Sequence, residues 1–430
     1  MATTNQMFQR VKRPDNRTLT FTMSGTRVSY ANTLRRAVQT EVQILGFRAD
    51  MQEDGSTADV KIIKNSTPMS NEMLADRVGL LPIYNDTSVT WEKDAILFKL
   101  HVKNETSDYK YITASDFECL KKNEEGDVER IPNTKFFRPD PITAQTCLLA
   151  VLKPFVEGQE PEEIHIEAHA SLGKGKEHTR FNPTSQCSYA YTRDENPARI
   201  LELWQKWLVE QKKADPAELD KPEHADRKKI LENEFRSLEI NRCFKVGDDG
   251  EANSFDFVVE SVGMMDPYEI LLRAFTAVTA LASKYASLSP GKLPDNLEVR
   301  PSDGQMRSYD FVFTGEDHTL GNLLQTWLDD NKVNAGPEKG GVLFAGYCIP
   351  HPLRNEMVLR IATEDGKEKT ACQVVAEAAK GCADMFAEYG SEFVAVNRDA
   401  PTVWEAHKEV KGLQAAKAAA TKAGQKKKAV

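Results

Sequence analysis

The sequence predicts an α+β protein in which two similar strand–turn–helix units pair with each other and a mostly β domain is inserted in the first unit. The main observation is an internal repeat at one constant offset: Phe21, Gly25, Asn32 and Leu34 recur as Phe311, Gly315, Asn322 and Leu324. A second observation is that each unit closes with a strand followed by a long helix with a continuous apolar face. Because such faces must be buried, the simplest partner of each unit is the other one.

The first unit opens with residues 18–23, in which apolar and polar side chains alternate as in a strand. Residues 29–42, SYANTLRRAVQTEV, have apolar side chains every three or four positions and predict a helix with Ser29 as its N-cap. Residues 254–262 predict the closing strand, and Pro267 suits the first turn of the long helix after it. The side chains expected to face inward on these two helices include Leu34, Val38, Leu271 and Val278.

The inserted region is rich in short predicted strands separated by Gly, Pro, Asn and Asp. The clearest of these strands are residues 96–102, 109–113, 146–151 and 163–170. This pattern indicates a mostly β domain with its own small core. Residues 200–239 then become helical and highly charged, and Pro216 and Pro222 divide this segment into two or three helices.

A short helix is predicted near the start of the inserted region, within NSTPMSNEMLADRVGLLPIY at residues 65–84. It is expected to begin near Ser70 and to end at Gly79. Its charged residues are Glu72, Asp76 and Arg77. Taken alone, these residue types favour a solvated helix face, because such side chains are rarely buried.

Two segments of the inserted region resemble ligand sites at first sight. His165, Glu167 and His169 suggest a metal site, but on a strand the two histidines lie about 13 Å apart, too far to share an ion. Residues 173–178, GKGKEH, lack the first Gly of a phosphate-binding P-loop and its final Ser or Thr. This basic turn remains compatible with contact to an acidic or phosphate-bearing partner.

The second unit is predicted to begin with strand 309–314 and a helix from His318 to about residue 330, capped by Asp317. Two further strands are joined through a turn built from Pro350, His351 and Pro352. The last helix covers residues 371–389. The apolar residues of the two helices include Leu320, Leu324, Trp327, Val375 and Phe386.

These features divide the chain into five predicted parts, preceded by a loose polar lead-in over residues 1–16. The parts are residues 17–50 with 240–288 for the first unit, 51–239 for the inserted domain, 289–305 for a Pro/Gly-rich linker, 306–400 for the second unit, and 406–430 for a basic Ala/Lys tail expected to be disordered.

Composition excludes several classes of function. With 56 basic and 65 acidic residues, the chain is not an obvious nucleic-acid binder outside local patches. No apolar run is long enough to span a membrane. The seven cysteines form no CxxC pairs, which favours reduced thiols over a zinc or iron–sulfur site. No nucleophile–base pair is evident, so we expect no independent enzyme.

Four motifs resemble the third-largest subunit of eukaryotic RNA polymerase II and the archaeal D subunit. They are SYANTLRRAVQTEV, NSTPMSNEMLADRVGLLPI, GKGKEHTRFNP and FDFVVESVG, in the order of that family. NTLRR is also similar to the N-terminal domain of the bacterial α subunit. GEDHTLGNLL and AGYCIPHPL resemble the eleventh eukaryotic subunit and the archaeal L subunit. The resemblance covers nearly the whole chain except residues 200–239 and the tail.

The resemblance implies two α-like dimerisation domains paired as an intramolecular pseudo-heterodimer. It implies a non-catalytic platform that holds the two largest polymerase subunits together. Arg35 and Arg36, with Asn32 beside them, would then face outward toward the second-largest subunit. Glu72, Asp76 and Arg77 become candidates for contact with a large subunit or with a small zinc-bearing subunit similar to the tenth or twelfth. The resemblance gives Gly25, Gly315, His318, Asn322 and His351 structural roles at turns and helix starts, not catalytic ones.

The resemblance also implies the surroundings of the chain. Magnesium and zinc are expected in other subunits, and no cofactor is expected in this chain, since Cys119, Cys147 and Cys187 are widely separated. DNA and RNA would be contacted only through the holoenzyme, and no membrane is expected. A fusion of the two subunits is similar to what large DNA viruses of eukaryotes carry, which implies a virion and host cytoplasm location, with the nucleus as alternative. The competing hypothesis is a free-standing nucleic-acid-binding factor that uses Lys174, Lys176 and the lysine tail.

Overall fold

The computed structural model describes residues 6–50, 52, 57–84, 91–122, 128–140, 142–304, 306–334 and 341–396. The predicted tail at 406–430 lies outside the described residues. The strands, in chain order, are β1 (Phe8–Lys12), β2 (Thr18–Ser24), β3 (Gln43–Gly46), β4 (Val60–Asn65), β5 (Ile96–Lys103), β6 (Lys110–Thr113), β7 (Glu118–Lys122), β8 (Val128–Ile131), β9 (Leu148–Leu152), β10 (Glu163–Ala168), β11 (Ser171–Lys174), β12 (Thr184–Tyr191), β13 (Ser254–Ser261), β14 (Leu297–Pro301), β15 (Ser308–Thr314), β16 (Val342–Cys348) and β17 (Glu356–Thr363). The helices are α1 (Val28–Thr40), α2 (Asn71–Gly79), α3 (Pro197–Glu210), α4 (Pro216–Leu219), α5 (Ala225–Ser237), α6 (Pro267–Ser283), α7 (His318–Leu328) and α8 (Glu368–Val396).

The first unit is built on an antiparallel sheet in the order β1–β2–β13–β12. Two of these strands correct the predicted boundaries. β1 lies in the segment predicted as a loose lead-in, and it is ordered because Phe8 is fully buried. β12 lies inside the region assigned to the inserted domain, yet it pairs with β13 along its length. Both segments of the first unit therefore begin earlier in the chain than predicted, the first with β1 and the second with β12.

The second unit has a matching antiparallel sheet in the order β14–β15–β17–β16. Its edge strand β14 corrects the prediction that residues 289–305 are a linker. Leu297 is buried and faces Phe313 across the strand pair, so the chain joins the second sheet well before the predicted end of the linker. The connection between the two units is therefore limited to the residues between the end of α6 and the start of β14.

The inserted domain contains an antiparallel sheet in the order β4–β10–β5–β7–β8 and two small strand pairs, β6 with β9 and β3 with β11. Its core includes Phe98, Phe136 and Phe137, which pack edge to face. Residues 197–240 form a separate helical cluster around Trp207 and Phe235. The charged segment is therefore a small three-helix module with an apolar centre of its own.

The four long helices of the two units pack together into one core. α6 packs on α8, α1 packs on α7, and the pairs α1–α6 and α7–α8 also touch. A single cluster of buried side chains runs from Phe8 to Phe393 through both sheets and all four helices. The predicted fold class, α+β with two paired units and a mostly β insertion, is confirmed.

Two helix starts follow the predicted residues Ser70 and Asp317, one has a cap that was not predicted, Asp266, and one differs from the prediction. Ser70, Asp266 and Asp317 each accept a backbone N–H at the starts of α2, α6 and α7. The prediction that Ser29 caps α1 is wrong, because α1 begins at Val28 and Arg27 occupies the N-cap position, with no side-chain hydrogen bond that caps the helix. Within the described ranges, no helix combines the length and apolar character needed to cross a bilayer.

Candidate assembly interface

We call the shared core of buried side chains in which the two units meet the apolar seam. It contains every residue predicted to mediate internal pairing. These residues are fully buried in one shared core, except for a partly buried tryptophan: Leu34, Val38, Leu271, Val278, Leu320, Leu324, Val375, Phe386 and Trp327. Trp327 lies against Gly381 of α8, where an added Cβ would come within 2.4 Å of the indole ring. The helices of the second unit are therefore packed closely enough that a glycine is required where α7 meets α8.

The centre of this seam is aromatic. Phe393, near the end of α8, reaches into the first unit and lies 5.1 Å from Tyr268 and 5.2 Å from Phe8, measured between ring centroids. Phe21 and Phe275 complete the cluster at 5.6 Å and 5.8 Å. Aromatic pairs at these separations add to the free energy that burial alone supplies. The second unit thus contributes a central side chain to the core of the first.

The repeated glycines occupy equivalent tight turns. Gly25 and Gly315 adopt φ of 74° and 83°, which is left-handed backbone that favours glycine. The N–H of Gly25 donates to the carbonyl of Asn253 at 2.8 Å, and the N–H of Gly315 donates to the carbonyl of Asn355 at 2.8 Å. Each turn therefore ties its strand end to the strand that closes the same unit.

The start of α7 joins the two units through polar contacts. Asp317 accepts the N–H of Thr319 as N-cap, and Arg36 of α1 donates from Nε to Thr319 Oγ1 at 2.9 Å. Arg36 Nη2 also lies 3.4 Å from Asp317 Oδ2. Arg36 was predicted to face outward with Arg35. The structure instead directs it into the seam, because the N-terminal end of α7 supplies an acidic cap within its reach.

The basic turn GKGKEH contacts the same helix start. Lys176 Nζ donates to the carbonyl of Gly315 at 2.8 Å and lies 3.9 Å from Asp317 Oδ2. Burial alone would raise the pKa of Asp317, but hydrogen bonds from Thr319 and the charges of Lys176 and Arg36 outweigh it and lower that pKa. The carboxylate is thus held ionised between the two units.

Gly175 allows the turn to approach α1. A Cβ at this position would lie 1.9 Å from the backbone oxygen of Gln39. The neighbouring Lys176 N–H donates to the carbonyl of Thr40 at 3.1 Å, and Lys174 Nζ pairs with Glu41 at 2.8 Å. The turn therefore closes the last turn of α1 while Lys176 extends to the second unit.

A second polar contact lies at the opposite end of the α1–α7 pair. Arg27, the N-cap residue of α1, forms ion pairs with Asp330, 2.8 Å from its Nε, and with Asp249 at 3.2 Å. The Tyr30 hydroxyl donates to the same Asp330 at 3.4 Å. The sequence analysis missed Arg27 and Asp330, although the repeat offset marks Arg27 as the equivalent of Asp317, and it gave Lys176 a role only in the nucleic-acid-binding alternative.

Arg35 lies on the other side of α1, half-buried beside β12. Its guanidinium donates to Asn32 Oδ1 at 2.9 and 3.0 Å and to Gln39 Oε1 at 3.0 Å. These partners are neutral amides, and no ion pair to Arg35 occurs among the described residues. Arg35 is therefore an oriented cation whose charge is not neutralised within the part of the chain described.

The outward face of α2 is mixed acidic and apolar. Glu72 and Asp76 are exposed, and Met73 and Leu80 beside them are 58% and 64% exposed. Arg77 instead donates from Nη2 to the carbonyl of Leu148 at 2.9 Å, which ties α2 to β9. Gly79 ends the helix, and a Cβ there would lie 2.5 Å from the Arg180 guanidinium. Glu72 and Asp76 thus remain available to a partner, whereas Arg77 has an internal contact.

The remaining predicted turn residues occupy the rim of the second unit. His318 Nδ1 lies 3.2 Å from the Tyr347 hydroxyl, and Asn322 lies half-buried on α7. His351 Nδ1 accepts the N–H of Leu353 at 3.1 Å within the exposed turn that includes Pro350 and Pro352. These contacts are structural, and they bring no nucleophile and base together.

His165 on β10 and His169 just after it occupy separate environments. His165 stacks on His101 with ring centroids 4.6 Å apart, whereas the N–H of His169 donates to the carbonyl of Asp59. Across the described ranges, no group of three or more His, Cys, Asp or Glu side chains has the geometry to hold a metal ion.

Comparison with known proteins identifies two matching regions. Residues 20–281 and residues 308–392 both match the family described as RNA polymerase Rpb3/Rpb11 dimerisation domain. The chain is 29% identical over 181 residues to the DNA-directed RNA polymerase subunit Rpo3 of Methanosphaera stadtmanae, covering 42% of this chain and 60% of that one. It is 26% identical to Rpo3 of Methanobrevibacter smithii over 65% of this chain and 97% of the relative. It is 24% identical to the DNA-directed RNA polymerase II subunit rpb3 of Dictyostelium discoideum, over 61% and 88%.

Proposed function

Because the chain belongs to the RNA polymerase Rpb3/Rpb11 dimerisation domain family, we propose that it is a non-catalytic assembly subunit of a multisubunit DNA-directed RNA polymerase. The observation that carries this proposal is the shared core, in which two matching units of that family pair within one polypeptide. One chain would then do the work of two partners, the counterparts of the third-largest and eleventh subunits. Catalytic residues, magnesium and zinc would belong to other subunits of the complex.

The fusion has a kinetic consequence for assembly. Separate subunits must meet by diffusion, whereas units on one chain face each other at an effective concentration of about the millimolar range. The short connection between α6 and β14 supports this interpretation, since it leaves the second sheet close to the first unit. We propose that pairing of the units is a first-order step that precedes the docking of large subunits.

Two outward surfaces are the proposed docking sites. The first is the Arg35 face of α1, where an oriented, un-neutralised guanidinium suits a carboxylate or carbonyl of the second-largest subunit. The second is the outward face of α2, with Glu72, Asp76, Met73 and Leu80, which suits a large subunit or a small zinc-binding subunit similar to the tenth or twelfth. DNA and RNA would be reached only through the assembled enzyme.

Two of the lysines on which the alternative, a free-standing nucleic-acid-binding factor, depends are engaged in contacts within the chain. Lys174 is paired with Glu41, and Lys176 contacts Gly315 and Asp317. Lysines engaged in this way are poorly placed to neutralise phosphates. The fused arrangement supports a large DNA virus as the source, with the virion and host cytoplasm as the proposed location and the nucleus as the alternative.

The test of this function is co-expression of the full chain with the two largest polymerase subunits, followed by size-exclusion chromatography. We expect the three proteins to elute together, because the platform must bind both large subunits. Failure of the folded wild-type chain to co-elute with either large subunit would reject the proposal.

Arg35→Ala is expected to weaken this complex about tenfold or more while the chain itself stays folded. Loss of a charge-assisted contact at a desolvated interface commonly has this effect, since a partner carboxylate is left unpaired. The measurement is affinity for the isolated second-largest subunit, with melting temperature as the check on folding. Arg300→Ala, at an exposed position on β14, is the matched control and should bind like wild type. Equal binding by both variants would remove Arg35 from the interface.

A further inference from the structure

α1 and α7 lie antiparallel, so the start of each helix faces the end of the other. At one end of the pair, Arg27 and Tyr30 contact Asp330, just beyond α7. At the other end, Asp317 lies against Arg36 and Lys176, beside the last turns of α1. Each helix start therefore meets an opposite charge from the other unit.

The repeat makes the helix-start residues of these two contacts equivalent by position but opposite in charge. The offset that aligns Gly25 with Gly315 also aligns Arg27 with Asp317, and both are N-cap residues in extended backbone. The first unit is basic at its helix start and basic at its helix end, where Arg36 and Lys176 lie. The second unit is acidic at both places, with Asp317 at the start and Asp329 and Asp330 at the end.

We propose that this charge pattern selects unlike pairing and opposes pairing between like units. If first units from two chains paired in the same geometry, Arg27 of each would lie at the end of the other α1, where Lys176 binds the Thr40 carbonyl and Arg36 lies one turn away. If second units paired, Asp317 of each would face Asp330. Both like pairs bring equal charges together at both helix ends, whereas the unlike pair brings opposite charges together.

The ion pairs are partly buried, which strengthens the interaction between their charges. The side chains of Arg36 and Asp317 are 30% and 29% exposed, and those of Arg27 and Asp330 are 43% and 23% exposed. They border a seam of buried apolar residues in which the repeat places Leu34 and Leu324 at equivalent positions, so this leucine pair does not favour unlike over like pairing. Charge at the helix ends therefore adds to the choice of which units pair.

The test compares two full-length double variants that share one substitution and leave net charge unchanged. In Arg36→Asp with Asp330→Arg, each unlike contact gains a pair of equal charges, and only the Lys176–Asp317 pair stays attractive. Each like pairing gains a pair of opposite charges instead. In the matched control, Arg27→Asp with Asp330→Arg, one unlike contact is exchanged in sign and the other is kept. The control also loses the Arg27–Asp249 pair, which works against the expected difference.

We expect the test variant to melt about 2–4 °C or more below the control. It should also show a larger dimer fraction by size-exclusion chromatography with light scattering, increasing with protein concentration. Both differences should shrink in 1 M salt, where the screening length is about 3 Å. Equal melting temperatures and equal dimer fractions would overturn the proposal.

A neutral series keeps the proposal testable if the test variant does not fold. Arg36→Gln with Asp330→Asn removes a charge from each of the two unlike contacts and leaves only Lys176 opposite Asp317, whereas Arg27→Gln with Asp330→Asn removes charges from one contact. The first double variant is expected to have a lower melting temperature than the second. The reverse order, or no difference, would contradict a selective role for these charges.

Discussion

Phe393→Ala is expected to lower the free energy of unfolding by about 3–5 kcal/mol, which is among the largest effects of any single substitution in this chain. The side chain is fully buried and touches Phe8, Phe21, Tyr268 and Phe275 of the first unit. Its removal loses burial, loses the aromatic pairs and leaves a cavity in the seam that joins the units. The measurement is urea denaturation followed by tryptophan fluorescence and by circular dichroism.

Phe344→Ala is the matched control for this prediction. Phe344 is the same residue type on the edge strand β16 and is 40% exposed. Its truncation should cost about 1 kcal/mol or less. If both variants lost the same stability, the aromatic cluster around Phe393 would not be the centre of the seam.

Gly175→Ala is expected to destabilise the chain by at least about 1–3 kcal/mol, a large effect for the addition of one methyl group. The new Cβ would lie 1.9 Å from the backbone oxygen of Gln39, and backbone cannot move aside as a flexible side chain can. The turn would have to lift from α1, so Lys176 would lose Gly315 and Asp317 as well. Melting temperature and amide hydrogen exchange at the start of α7 would report both effects.

Gly304→Ala provides the corresponding control. Its added Cβ would meet the Arg360 guanidinium and the Ser302 hydroxyl at 3.6 Å, which is ordinary contact. A change within about 0.5 kcal/mol is expected. Lys176→Ala separates the two contributions, since it removes the contact without moving the turn. Wild-type stability of Gly175→Ala would show that α1 and the turn separate readily.

Local patterns were sufficient to predict most elements and the pairing of the units. The 3.6-residue period of α1 and the alternation in β2 depend on neighbours in sequence, so a short window contains them. The repeat then identified equivalent turns at Gly25 and Gly315. The caps at Ser70 and Asp317 were predictable because they depend on one side chain and the next turn of backbone.

Long-range pairing could not be read from such windows. β12 follows the inserted domain in sequence but pairs with β13, more than sixty residues further on. Leu297 in β14 stands among prolines and glycines that favour a linker, and only pairing with β15 makes its segment a strand. Arg36 differs from Arg35 by one position on α1, yet that step of about 100° turns it from the outer face into the seam.

The position of Phe393 in the first unit bears on the order of events during synthesis. A ribosome makes the first unit's sheet and its helices α1 and α6 long before α8 exists, at about 5–20 residues per second. Until α8 has left the ribosome, Phe8, Phe21 and Phe275 lack the ring that closes their cluster. The aromatic cluster of the nascent first unit therefore stays exposed for many seconds, as the surfaces that chaperones bind are. The first unit completes its core only when the second unit has been synthesised.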